Sequence, residues 1–350
     1  MNISVEKFGD LPDGRQADLY TLENQNGMKV QISNFGGVVR RILVPDKNGL
    51  PEDVVLGYKT FGEYISNPEY FGALIGRSTN LMAGNVVEIS GKKYFLDKNY
   101  GENNLHGGFN SLTYRLLDAE THSDNGDLSL VLSHTMAHLS DGFPGNLKVK
   151  VIYTLTSGNA LKICYRAISD ADTVISFTNH THFNLGGHAS GTIYNHILDI
   201  SADFYSPIDS NCIPTGEIIK VTGTPFDFRG GKKIGDVIFT NCEQLNIYGG
   251  YDHNFVINGK GLRKAVTLMH PESGRTLDVF TDLPGVHLYT CNLLPGGVYK
   301  DEGIYQKHQA MCFETQMFPN AVNMPWVLSP IHSADEEYLT TTTFQFGCRT

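Results

Sequence analysis

Leu147-Lys148-Val149-Lys150-Val151-Ile152-Tyr153-Thr154-Leu155, then Thr156-Ser157-Gly158-Asn159-Ala160, then Leu161-Lys162-Ile163-Cys164-Tyr165-Arg166-Ala167, is the stretch that decides the fold class. Leu147, Val149, Val151, Tyr153 and Leu155 alternate with more polar residues, and Leu161, Ile163, Tyr165 and Ala167 do the same. Successive side chains of a strand point to opposite faces, so a period of two makes one face apolar and leaves the other polar. Ser157-Gly158-Asn159 supplies the turn, and the whole reads as a β-hairpin.

Working outward, the pattern recurs. Residues 87–89 and 94–96 flank Ser90-Gly91-Lys92; residues 116–121 and 128–132 flank Asp124-Asn125-Gly126; residues 265–269 and 277–281 flank Pro271-Glu272-Ser273-Gly274. Strands are expected from about residue 3 to a closing strand at 340–346, with helical periodicity confined to 60–66. The 37 glycines suit many short strands and tight turns, and no Pro-rich, Ser-rich or charge-run segment divides the chain. The expectation is an all-β protein, a large antiparallel β-sandwich, with residues 1–350 forming a single domain.

Bulk chemistry narrows the partners. The chain carries 27 Lys and Arg against 37 Asp and Glu, a formal net charge of -10, with no basic cluster. Such a surface repels nucleic acid and anionic membranes and favours a neutral small molecule. Met1-Asn2-Ile3-Ser4-Val5-Glu6-Lys7 offers no apolar signal segment, and no window approaches the roughly 18 apolar residues of a membrane helix. The six cysteines, Cys164, Cys212, Cys242, Cys291, Cys312 and Cys348, include no CxxC pair and read as reduced thiols of a cytoplasmic protein.

Five segments are richer in polar residues and glycine than core strands require. They are Gly76-Arg77-Ser78-Thr79-Asn80-Leu81; Asn103-Asn104-Leu105-His106-Gly107-Gly108; Thr178-Asn179-His180-Thr181-His182-Phe183-Asn184-Leu185-Gly186-Gly187; Gly249-Gly250-Tyr251-Asp252-His253-Asn254; and Phe313-Glu314-Thr315-Gln316 with the Phe318-Pro319-Asn320-Ala321-Val322-Asn323 that follows. On pattern alone Glu314 belongs to a strand's solvent face, and His180 to a hydrogen-bonded turn. His180 and His182 form an H-x-H pair with His188 beyond, yet the spacing matches no recognised zinc ligand set. Asp252 with Glu314 leaves a glycosidase carboxylate pair open. Nucleotide-binding and nucleophile-elbow motifs are missing from the sequence.

Taken in order, and with Asn34-Phe35-Gly36-Gly37 and Val44-Pro45-Asp46 near the start, these segments resemble the aldose 1-epimerase (galactose mutarotase) family from end to end. The resemblance implies a very large antiparallel sandwich and general acid–base interconversion of the α and β anomers of free hexopyranoses. His180 matches the family's catalytic acid and Glu314 its base. Asn80, His106 and Asp252 match residues that hold the sugar. A base takes the anomeric proton, an acid protonates the ring oxygen, and the opened ring closes as the other anomer. A carboxylate and an imidazole titrate on either side of the useful range, and the reaction needs no metal, nucleotide or redox cofactor.

The chain departs from the family pattern at three places. Leu81 stands where an arginine that donates to sugar hydroxyls is usual, a loss worth roughly 1.5–3 kcal/mol. His182 replaces a usual tyrosine and His287 a usual glutamine; both are expected at the sugar, where they would re-tune which hydroxyls are read. Leu81 also motivates the alternative, a non-catalytic sugar-binding module or sensor on the same fold. An epimerase of phosphorylated sugars would want added Lys or Arg at the site. Between monomer and homodimer the sequence is silent.

Overall fold

A computed structural model describes residues 1–349. The expected hairpin forms as strands Leu147–Leu155 and Ala160–Ser169, paired antiparallel from Leu147 opposite Ser169 to Leu155 opposite Leu161. The others form too: Val86–Ile89 with Lys92–Phe95, Asp118–Asp124 with Asp127–Met136, and Arg263–Met269 with Arg275–Thr281. The strand expected from 116 starts at Asp118, because the Leu117 amide is already committed to the Asn34 carbonyl at 2.9 Å. The helix at Phe61–Ser66 is started by Thr60, whose amide donates to the Glu63 carboxylate at 2.8 Å, and it buries Phe61 and Tyr64. Two other short helices, Ile234–Val237 and Glu243–Tyr248, span too few residues to show a 3.6-residue period.

Three sheets carry the architecture. A five-stranded sheet runs in chain order from Asn2–Asp10 to Pro51–Asp53. A nine-stranded sheet holds the central hairpin, with Tyr338–Cys348 inserted between Ala160–Ser169 and Arg275–Thr281. A six-stranded sheet holds, in spatial order, His182–Phe183, Met311–Gln316, Gly285–Tyr289, Asp252–Ile257, Ala202–Ser206 and Ile219–Lys220. Every strand pairing among these is antiparallel.

The two larger sheets share one core. Val149, Val151, Tyr153, Leu161 and Ile163 from the nine-stranded sheet lie in one apolar cluster with Phe255, Val286, Leu288 and Phe313 from the six-stranded sheet. Phe183 meets Phe344 across the layers, with ring centroids 5.1 Å apart. Alternation then settles the opposite face of the six-stranded sheet. With Phe313, Leu288 and Phe255 turned into the core, their neighbours Glu314, Cys312, His287, Tyr289, Asp252 and Asn254 must turn the other way. That face is not solvent: all six positions of Met311–Gln316 are buried, because loops from earlier in the chain cover it.

Candidate active site

The covered face carries two rows of cross-strand neighbours. Asn254 pairs with His287 and His287 with Glu314; one register step along, Asp252 pairs with Tyr289, Tyr289 with Cys312, and Cys312 with His182. Directly opposite residues on antiparallel strands share a face, so segments remote in sequence are brought side by side. Over them, Leu81 pairs with Leu105 in a two-residue ladder that delivers Asn80 and His106. The His106 amide donates to the Asn80 carbonyl at 3.0 Å, and the Asn80 amide returns a bond to His106 Nδ1 at 3.2 Å. Both residues have positive φ, 54° and 52°, which the reciprocal bonds hold in place.

His180 sits between strands Thr178–Asn179 and His182–Phe183 and is tied down by its backbone. Its amide donates to the Ala73 carbonyl at 2.9 Å, and its carbonyl accepts from the Gly72 amide at 3.1 Å. Gly72 has φ +65°, and a Cβ there would meet the Val39 carbonyl oxygen at 2.2 Å, so only glycine fits. The ring of His180 stacks on Tyr70, centroids 5.8 Å apart, and its Nδ1 lies 3.6 Å from Cys312 Sγ. Its Nε2 faces Glu314 Oε1 at 3.4 Å. The two side chains are 8% and 2% exposed, so water screens their interaction little.

These groups line one cleft of about 260 Å³ with Tyr70, Asn80, Leu81, His106, Asp252, His287 and Tyr289. The two histidines beside the pair shift in opposite directions. Burial, reinforced by the positive charges of His180 and His287, drives the His106 pKa well below the ordinary histidine value. With Nδ1 accepting from Asn80, its proton resides on Nε2, making His106 a neutral donor. Burial also pulls His287 down, but there it is outweighed by the hydrogen bond to Asp252, 2.6 Å from Nε2 to Oδ1, and by the charges of Asp252 and Glu314. The His287 pKa is therefore raised.

Six of the seven sequence-proposed residues thus meet in the cleft: Asn80, His106, His180, Asp252, His287 and Glu314. His182 is the correction. It does not line the cleft but stands behind His180, ring centroids 4.9 Å apart, with Nδ1 on the His180 carbonyl at 3.0 Å and Phe71 against its edge. It is a packing residue, held neutral by burial and by the neighbouring His180 charge. The solvent-face reading of Glu314 fails for the reason given above, that both faces of its strand are covered. Arg77 does not reach the site; its guanidinium donates to the carbonyls of Pro144 and Gly145 at 2.6 and 3.0 Å. Trp326 is on the surface, its indole donating to the Gly216 carbonyl at 3.1 Å.

Sequence reasoning missed Tyr70, Tyr100, Cys212, Tyr248 and Tyr289, and likewise Pro68, Glu69, Leu105 and Leu293, all of which line the cleft. Tyr248 closes the helix that immediately precedes the Gly249-Gly250-Tyr251-Asp252 segment, the one signal that could have found it. Burial, with Asp252 and Asp209 nearby, pushes the Cys212 thiol up to about 12, so it is no nucleophile at neutral pH. The His106, His180 and Glu314 donor atoms lie within 4.8 Å of one another. His106 fits a metal poorly, since its remaining nitrogen carries the proton. Among the described residues no Lys or Arg lines the cleft, which suits an uncharged ligand.

The chain is matched by the family model for aldose 1-epimerase over residues 18–345. The galactose mutarotases of Bos taurus and Sus scrofa are 38% and 37% identical over 350 residues, with 99% of each chain covered. The crystal structure of a galactose 1-epimerase from Lactobacillus acidophilus superposes with a TM-score of 0.88 at 26% identity, covering 100% of this chain and 99% of that one. A cleft that sets a buried imidazole against a buried carboxylate, on a fold and a sequence shared over their full length with these proteins, places the chain in the aldose 1-epimerase family, as an isomerase of sugar anomers.

Proposed function

We propose that the protein interconverts the α and β anomers of free hexopyranoses, with Glu314 as general base and His180 as general acid. The observation that carries the assignment is their approach, 3.4 Å from Nε2 to Oε1 on the wall of the cleft. The anomeric hydroxyl and the ring oxygen are bonded to the same carbon. Acid and base must therefore stand within a few ångströms of each other. Glu314 removes the hydroxyl proton as His180 delivers one to the ring oxygen, and the C1–O5 bond breaks to give the aldehyde. After rotation about C1–C2 the protons return by the same two groups, and the ring closes on the other face.

Asn80, His106, Asp252 and His287 hold the sugar. His106, a neutral donor, meets a hydroxyl or ring oxygen, and Asp252 accepts from a hydroxyl. Leu81 supplies an apolar wall and no hydrogen bond, which shifts the choice of sugar rather than the chemistry. The names of the relatives favour galactose among the hexoses, and glucose is the natural comparison. The net charge of -10 and the cleft's lack of Lys and Arg support a neutral monosaccharide over a nucleic acid, a membrane or a phosphosugar. No helix of the described residues is long and apolar enough to cross a membrane. We place the enzyme in the cytoplasm, residues 1–350 acting as one domain without a metal or redox cofactor.

Dissolving crystalline α-galactose or α-glucose and following optical rotation tests the reading. Micromolar protein should hasten the approach to equilibrium. Saturable sugar binding by calorimetry, with no acceleration for any common aldose, would instead establish a sensor.

A further inference from the structure

We infer that His287 is a positioning residue: it clamps Asp252 so that a single carboxylate oxygen is presented to the sugar, and thereby sets which hydroxyl the cleft recognises. This rests on the proposed reaction and adds a specificity device to it. The contact between His287 Nε2 and Asp252 Oδ1 is 2.6 Å, in the range of a charge-assisted hydrogen bond. It is the one side-chain partner of the Asp252 carboxylate among the described residues. Both residues line the cleft, and Asp252 is one-fifth exposed, with its second oxygen left for the cavity.

The strand register explains why the clamp is rigid. His287 lies on the central one of three strands, opposite Asn254 on one side and Glu314 on the other. Its side chain leans one register step along, toward the row of Asp252 and Tyr289, and it is 5% exposed. A carboxylate that lines a cavity with no protein partner rotates freely and accepts from hydroxyls in several directions. One oxygen held by an imidazolium leaves the other with a fixed direction. Two histidine–carboxylate pairs therefore share the cleft with different duties. His180 and Glu314 exchange protons with the substrate, whereas His287 and Asp252 fix its orientation.

The test uses the full chain as wild type, His287→Gln, His287→Leu, Asp252→Asn and the double variant His287→Leu/Asp252→Asn. Each is assayed by polarimetry on α-glucose and its 2-, 3-, 4- and 6-deoxy analogues, with folding checked by urea midpoint. His287→Leu should raise KM about 10-fold or more, the loss expected for one hydrogen bond to a charged group, with most of the effect in KM rather than kcat. His287→Gln, which keeps an N–H for Asp252, should recover most of it. The double variant should be no worse than the poorer single one. For the one deoxy sugar that lacks the hydroxyl read by Asp252, His287→Leu should carry no KM penalty. Losses that multiply in the double variant, equal defects in the Gln and Leu variants, or a uniform penalty across all deoxy sugars would each overturn the clamp. If His287→Leu does not fold, His287→Ala takes its place in the same cycle with Asp252→Asn. A wild type that fails to accelerate mutarotation refutes the reaction itself; an active wild type with multiplying losses refutes the clamp alone.

Discussion

Replacing Glu314 by glutamine removes the proposed base and almost nothing else. The side chain is 2% exposed and its shape is kept, so the cleft retains its volume and its other polar groups. One oxygen faces His180 at 3.4 Å and the other has no protein partner, so an amide at this position disturbs no protein contact of the side chain beyond the approach to His180. A positioned proton-transfer group contributes about 10²–10⁴ in rate, or roughly 3–5 kcal/mol of barrier. Glu314→Gln should therefore lower kcat by at least about 100-fold while KM changes little. His180→Asn should do the same. Because the two groups serve one coupled transfer, the double variant should fall no more than about 10-fold below the poorer single one. Initial rates of optical rotation, corrected for the buffer blank, measure all three. A Glu314→Gln enzyme keeping more than about a tenth of wild-type kcat, or losses that multiply in the double variant, would refute the assigned roles.

Three further outcomes are expected. Burial and the charge of His270 push His196 down to about 3, and burial and the charge of His287 push His253 down to about 3. The unfolded chain binds protons at these sites that the folded chain refuses, so stability is complete above about pH 6.5 and falls as pH drops toward 3, by about 1.4 kcal/mol per pH unit for each histidine. A urea midpoint that is flat from pH 7 to 5 contradicts this. Lys300 is fully buried, its ammonium 2.8 Å from Asp53 and 2.9 Å from the Arg40 carbonyl, and Lys300→Met should cost about 3–5 kcal/mol in urea unfolding because Asp53 stays buried; a loss under about 1 kcal/mol would show that Arg41, 3.3 Å from the same carboxylate, suffices as its partner. Gly72→Ala should destabilise by more than about 1 kcal/mol and also lower kcat, since the strained residue carries an anchor of His180; a stability loss with kcat intact would separate the two.

Local order was readable from alternation alone, whereas the spatial assembly was legible only through the family resemblance. The alternation of Leu147 to Leu155 and of Leu161 to Ala167 needs only the pleat, and it predicts the hairpin without knowledge of what covers either face. Glu314 shows where that logic stops. Alternation puts it opposite Phe313, but whether that face meets water depends on loops from residues 67–81 and 104–106, far earlier in the chain. The row joining Asp252, Tyr289, Cys312 and His182 is a matter of register between strands that are dozens of residues apart, which no local period encodes. His182 was misplaced for a related reason. Residues two apart on a strand share a face, but His180 lies in the gap between two short strands, so the pair stack one behind the other instead of lining the cleft together. Tyr70 carried no signal at all, since an aromatic in a short loop has no pattern around it.

The seclusion of His180 and Glu314 shapes how turnover proceeds. In the proposed reaction, opening the ring leaves the Glu314 carboxylate protonated and the His180 imidazole neutral; closing it returns each proton to the group that supplied it. The protein regains its starting charge state once per cycle without importing or exporting a proton, so groups shut away from solvent suffer no delay in being recharged. Turnover at fixed pH should accordingly be indifferent to the concentration of the buffer.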